Sequence, residues 1–127
     1  MTRKEKYIKA YRKSIEELYN DTCNIYESGY VKDQETGITK PTDDILVVAN
    51  QQCRISFKNL GATFQTEGPA KLSQEIKLFI APELLIKEGS KIVITRNGRT
   101  TEYKNSGTPA IYDTHQEIIL ALAEDYA

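Results

Sequence analysis

A single histidine, His115, stands in the run Asp113-Thr114-His115-Gln116-Glu117. An imidazole beside a carboxylate can act as an oriented general base or as one ligand of a metal. A metal needs more ligands than this run offers, and the chain has neither a second histidine nor a clustered cysteine pair to add them. The competing reading places Asp113 or Thr114 at a helix N-cap, with Glu117 completing a capping box and His115 in the first turn. That reading is preferred, because acids and capping residues belong at a helix start whatever the chemistry. The remaining carboxylate pairs, Glu16-Glu17 and Asp43-Asp44, read as solvated surface. Gly61 and Gly68 match neither a P-loop nor a dinucleotide fingerprint, and no GxSxG elbow occurs. No catalytic residue, cofactor site or metal site is assigned, so function is sought in binding or assembly.

Cys23 and Cys53 are too far apart for a CxxC motif, and each falls in a β-like run, where a small buried thiol is expected. Two cysteines and no apolar h-region behind the charged start point to reduced thiols in a cytoplasm. No apolar run approaches the ~18 residues of a membrane span. Formal net charge is −1, so nothing global favours nucleic acid. The distribution is uneven, however. Residues 1–13 carry Arg3, Lys4, Lys6, Lys9, Arg12 and Lys13 against Glu5, whereas residues 113–127 carry Asp113, Glu117, Glu124 and Asp125 with no Lys or Arg. The basic segment reads as the solvated face of an amphipathic helix. A phosphate-contacting surface aided by Tyr7 and Tyr11, or a head-to-tail contact with the acidic end of another copy, stands beside that reading. The eight tyrosines, scattered and without tryptophan, read as half-buried strand residues rather than a stacking platform.

The elements that must position these residues follow from periodicity. Ile8, Tyr11, Ile15 and Leu18 make one apolar stripe, with Thr2 and Glu5 as a capping box, and predict a helix over Thr2–Tyr19 closed by Asn20-Asp21. Thr22–Val31 reads as a strand with Cys23, Ile25 and Glu27 on one face. A β-prone run Ile45–Phe57 ends with Cys53, Ile55 and Phe57 alternating inward. Residues 58–73 show no period and are assigned to a long loop of functional use. Gln74–Ala81 resumes alternation through Ile76, Leu78 and Ile80, and Pro82–Ile86 reads as a short helical turn. Lys91–Lys104 is a hairpin around Asn97-Gly98, whose type I′ turn sets Ile92 opposite Tyr103, Val93 opposite Glu102, Ile94 opposite Thr101 and Thr95 opposite Thr100. Ala110–Tyr112 is a further short strand, and Thr114 opens a C-terminal helix with Ile118, Ile119 and Leu122 on its face. The expected fold is mainly β, α+β by content. It is one domain over 1–127, a small antiparallel barrel or sandwich of about six strands over 21–112, with a helix at 1–20 and a short one at 113–127.

This order of features resembles the head–tail joining, or head-closure, proteins of tailed phages, and within them the XkdH type of the PBSX phage-like element. The residues that carry it are Asp21-Thr22-Cys23-Asn24-Ile25-Tyr26, the strand end Gln52-Cys53-Arg54-Ile55-Ser56-Phe57, the re-entry Gln74-Glu75-Ile76-Lys77-Leu78-Phe79-Ile80 and the Lys91–Lys104 hairpin. The resemblance implies a β-barrel that assembles as a ring beneath the portal and adaptor, closes the head and docks the tail, with no catalytic residue and no cofactor. It implies partners in the portal or adaptor ring, tail proteins and further copies of itself, with nucleic acid only in the ring lumen and no membrane. The implied setting is a bacterial cytoplasm during assembly and then the particle. Loop and chain ends are the implied contacts: Lys58, Asn59, Leu60, Phe64, Gln65 and Lys71 from the loop, and Lys4, Lys9, Arg12 and Lys13 from the helix. The alternative is an OB-like barrel binding nucleic acid or protein.

Overall fold

The Asn97-Gly98 turn forms as its residue types dictate. Asn97 sits at φ 52° and Gly98 at φ 77°, the left-handed region that a type I′ turn requires at both central positions. The two flanking strands pair in the expected register, with Ile92 opposite Tyr103, Val93 opposite Glu102, Ile94 opposite Thr101, Thr95 opposite Thr100 and one further rung, Arg96 opposite Arg99.

The computed structural model describes residues 1–63 and 71–122. Helix α1 (Arg3–Glu16) is followed by seven strands: β1 (Asp21–Lys32), β2 (Thr39–Thr63), β3 (Lys71–Ile80), β4 (Lys91–Arg96), β5 (Arg99–Asn105), β6 (Ala110–Ile111) and β7 (Gln116–Leu122). The sheet order is β3-β2-β1-β4-β5-β7-β6, and an additional β3–β7 ladder closes six of the strands into an antiparallel barrel. β6 is a short addition beside β7. The inward residues alternate along each strand and meet in one core of Cys23, Ile25, Cys53, Ile55, Leu78, Ile80, Ile92, Ile94, Tyr103, Ile118 and Leu120.

One end of the barrel is plugged. The segment between β3 and β4 folds across it, Ile86 buries in the core and Leu84 packs against it. Two buried amides hold the plug. Gln116 Nε2 donates to the carbonyls of Ala81 and Leu84 at 2.8 Å each, and Asn105 Nδ2 donates to Lys87 O at 3.0 Å. Fixed this way, carbonyls of an irregular, partly buried segment find partners.

Four expectations change. Residues 116–122 form β7, not a helix, and residues 123–127 lie outside the described residues. Ile118, Ile119 and Leu122 fit helical spacing, but Gln116, Ile118 and Leu120 fit period two equally well. Barrel closure decides between them, because β7 satisfies both β3 and β5. Over its described residues, 58–73 is a continued β2–β3 ladder out to Thr63 opposite Lys71, with a register shift between Asn59 and Gly61 that absorbs the irregular sequence. Phe57, expected inward, is 44% exposed because it lies at the open end of the barrel. Pro82–Ile86 is an irregular turn rather than a helical one.

Replacing Asn97-Gly98 by Val-Val should cost about 1–2 kcal/mol per residue, because β-branched side chains resist φ > 0. Chemical denaturation measures this, and an unchanged midpoint would contradict the turn as the hairpin's determinant.

Candidate interaction surfaces

α1 forms as its sequence suggests. Thr2 caps it, with Glu5 N donating to Thr2 Oγ1 at 3.1 Å and Thr2 N to Glu5 Oε2 at 3.3 Å. No residue of α1 is buried. Ile8 and Ile15 are half-buried, while Tyr7 and Tyr11 stack on each other in solvent with ring centroids 6.5 Å apart. Lys4, Lys9 and Lys13 are exposed, as expected of a basic face. Arg12 differs. Its guanidinium grips Glu83 of the plug with two nitrogens, Nη2 to Oε2 at 2.9 Å, and its Nε meets Glu16 at 2.7 Å. The bidentate pair holds the Glu83 carboxyl below its ordinary range. Beyond α1, Tyr19 is buried, and burial, with Glu16 nearby, pushes its phenol up to about 12. Arg12 is thus a tether to the barrel rather than a free contact.

Lys58 and Asn59 lie in β2 opposite Glu75 and Gln74, Leu60 sits at the register shift, and Lys71 opens β3 opposite Thr63. Phe64 and Gln65 lie outside the described residues. β7 reaches β3 only from Ile76 to Ile80, so beyond Gln74 toward Lys71 the β2–β3 pair continues as a two-stranded arm among the described residues. A second arm forms where β1 leaves β4. From Glu27 to Lys32, β1 pairs only with the start of β2, Thr39 to Ile45, and Tyr30, Val31 and Ile38 are exposed on it. The arms belong to opposite ends of β2. Both leave main-chain edges unpaired within the described residues, a template for another strand.

The run around His115 comes together, though not at a helix start. His115 Nε2 pairs with Glu117 Oε2 at 2.9 Å and Nδ1 with Thr114 Oγ1 at 3.0 Å. Tyr112 stacks on the imidazole at 5.0 Å, Phe79 tilts against it at 5.9 Å, and Lys77 Nζ reaches Glu117 Oε1 at 3.1 Å. Asp113 is exposed. Both ring nitrogens are engaged locally, by Glu117 of β7 and Thr114 of the β6–β7 connection, while Lys77 and Phe79 supply the contacts to β3. No group of three or more potential metal ligands occurs among the described residues. Cys23 and Cys53 are buried and free, and hydrogen bonding to Cys23, with burial, pushes the Cys53 thiol up and keeps it protonated.

The open end of the barrel is a surface that sequence reasoning missed. A cavity of about 520 Å³ there has a floor of Ile55, Ile94 and Tyr103 and walls of Phe57, Arg96, Arg99 and Thr101. Arg96 Nη1 donates to Ile55 O at 3.2 Å and its guanidinium lies 5.7 Å from the Phe57 ring centre. The signal was present, since one more rung of the hairpin register puts Arg96 and Arg99 on the inward face with Ile94 and Thr101.

These features define a mainly β protein built on a closed six-stranded antiparallel barrel with strand arms and an outlying helix. No family model matches the chain, and no curated protein matches it. A solved structure is similar in fold, that of the phage-like element PBSX protein xkdH from Bacillus subtilis. It is 14% identical, covers 82% of this chain and 94% of that chain, and superposes with a TM-score of 0.50.

Glu117 is held below its usual 4.5 by His115 first and Lys77 second. A lowered folded-state pKa contributes stability above the unfolded value and loses it as pH falls through the folded one. Glu117→Gln should therefore be less stable by about 1 kcal/mol at pH 7 and lose less on acidification below about pH 4.5. Thermal melts across pH 7 to 3 check this, and parallel curves for both proteins would contradict the clamp.

Proposed function

We propose that this chain is a structural assembly protein of a tailed phage or phage-like particle, joining head to tail as part of a ring beneath the portal and adaptor. The observation that carries the reading is the barrel fold shared with a protein of the PBSX phage-like element. Three features of the chain support it. Two strand arms with open edges leave opposite ends of β2, a helix with no buried residue lies outside the barrel, and the described histidine and cysteines are engaged in structural contacts. Arms and helix contribute little to the barrel's own core and are suited to contacts with neighbours. The partners in this reading are the portal or adaptor ring, tail proteins and further copies of the chain. The setting is the bacterial cytoplasm during assembly, then the head–tail interface. Neither catalysis nor a cofactor belongs to it.

The alternative OB-like nucleic-acid module is less well supported. An OB-fold is a five-stranded, partly open barrel, whereas six strands close here.

Deleting the gene in its host, inducing particles and imaging the lysate by electron microscopy tests the reading. Filled heads and free tails, unjoined, are expected. Intact tailed particles would overturn the joining role.

A further inference from the structure

The last rung of the β4–β5 hairpin sets two arginines, Arg96 and Arg99, directly opposite each other on the face that lines the open barrel end. Like charges directly opposite across a ladder are destabilising. Asn97 and Gly98 alone satisfy the turn, so the turn does not require this pair, and of the two only Arg96 reaches the barrel wall, at Ile55 O. No carboxylate lines this cavity among the described residues, and neither arginine forms an ion pair with a described acid. Asp21, the acid of the adjoining hollow that Arg54 and Arg96 share, is turned to the main chain, accepting from Ile55 N at 3.0 Å. The result is a concave site with two guanidinium forks, an exposed phenyl ring and an apolar floor. Guanidinium forks match carboxylates in geometry, and the floor and ring suit an accompanying apolar or aromatic side chain.

From this geometry we infer that the open barrel end is a carboxylate-binding site and that its occupant is the acidic segment Glu124-Asp125-Tyr126 of a second copy of the chain. The segment enters by sequence alone, lying outside the described residues. It carries two carboxylates and an aromatic ring, and residues 113–127 contain no basic residue to oppose the site. β7 runs from Leu120 opposite Asn105 to Leu122 opposite Tyr103, toward the barrel end that holds the arginine pair, and the acidic segment follows it in sequence. Two chains side by side can then each offer the segment to the other's cavity, a contact that is isologous in a pair and heterologous in a ring. The inference rests on the ring reading above and names one of its contacts. Nucleic acid is the less suited ligand, because the site is a local concavity with two arginines in a chain of net charge −1 rather than an extended basic track.

Sedimentation of the full chain at low and high salt, with charge-reversed variants, tests it. The parent should associate reversibly and more weakly as salt rises. Arg96→Glu with Arg99→Glu, and separately Glu124→Lys with Asp125→Lys, should each weaken association about tenfold or more. An equimolar mixture of the two variants should recover it, since each then meets an opposite charge. Parent association that neither variant changes, absence of association, or no recovery in a mixture of folded variants would each overturn the proposal, the last because it signals capture of the segment within one chain. Circular dichroism confirms folding, and if the glutamate variant fails to fold, Arg96→Gln with Arg99→Gln replaces it and the loss alone is read. A single-stranded oligonucleotide that binds the parent but not the arginine variant, while both self-associate alike, would overturn it in favour of nucleic acid. Because this uses purified chain, its failure leaves the particle-joining result standing, and the reverse also holds.

Discussion

Closure of the barrel rests on β7, which hydrogen-bonds β3 from Ile76 to Ile80 on one edge and β5 from Tyr103 to Asn105 on the other. Without it the sheet would be open, with β3 and β5 exposing free edges and the inward faces of Leu78, Ile80 and Tyr103 facing water. The same strand supplies Gln116, whose amide holds the plug, and Glu117, which meets His115 and Lys77 on the outer face. One seven-residue element therefore closes the wall, anchors the end and pins the β6 connection.

Closure also sets what is left over. The barrel uses only the middle of the 25-residue β2, and the excess at each end becomes an arm paired on one side. The two barrel ends differ in kind. One is sealed by Ile86 and the amides of Asn105 and Gln116, while the other opens onto Phe57, Arg96 and Arg99. α1 is tied across to the sealed end by Arg12 and Glu83, an exposed ion pair that holds position more than it adds stability. Exposed apolar side chains occur on the β1–β2 arm at Tyr30, Val31 and Ile38, on α1 at Tyr7 and Tyr11 and at the open end at Phe57, and also on the plug at Leu85 and beside β7 at Ile111.

Local chemistry was legible in the sequence wherever one interaction dominates. The Asn97-Gly98 turn fixed its register rung by rung, the Thr2–Glu5 box placed the start of α1, and alternation at Cys53 and Ile55 and at Leu78 and Ile80 marked inward faces. The failures share a cause: long-range pairing decided them. Residues 116–122 carry helical and strand periods together, and only the waiting edges of β3 and β5 select the strand. Residues 58–63 have no apolar period, yet the main-chain ladder with β3 needs none. Phe57 obeys the alternation but sits where the barrel ends, a position that depends on strand stagger rather than on pattern. Of the candidate contacts, the exposed lysines of α1 were readable, while Arg12's engagement with Glu83, far away in sequence, was not. The arginine pair at the open end was hidden because a hairpin tip ordinarily reads as solvent.

In the proposed function, the strand excess outside the barrel serves contacts between molecules. The most direct measurement replaces residues 60–73 with an Asn-Gly turn, so that β2 and β3 close at the rung Asn59 opposite Gln74. Folding is then followed by circular dichroism, and joined particles are counted by electron microscopy in a host carrying only that variant. The account predicts a folded chain with the parent's melting behaviour and few or no joined particles. A folded variant that joins heads to tails at the parental frequency would contradict it.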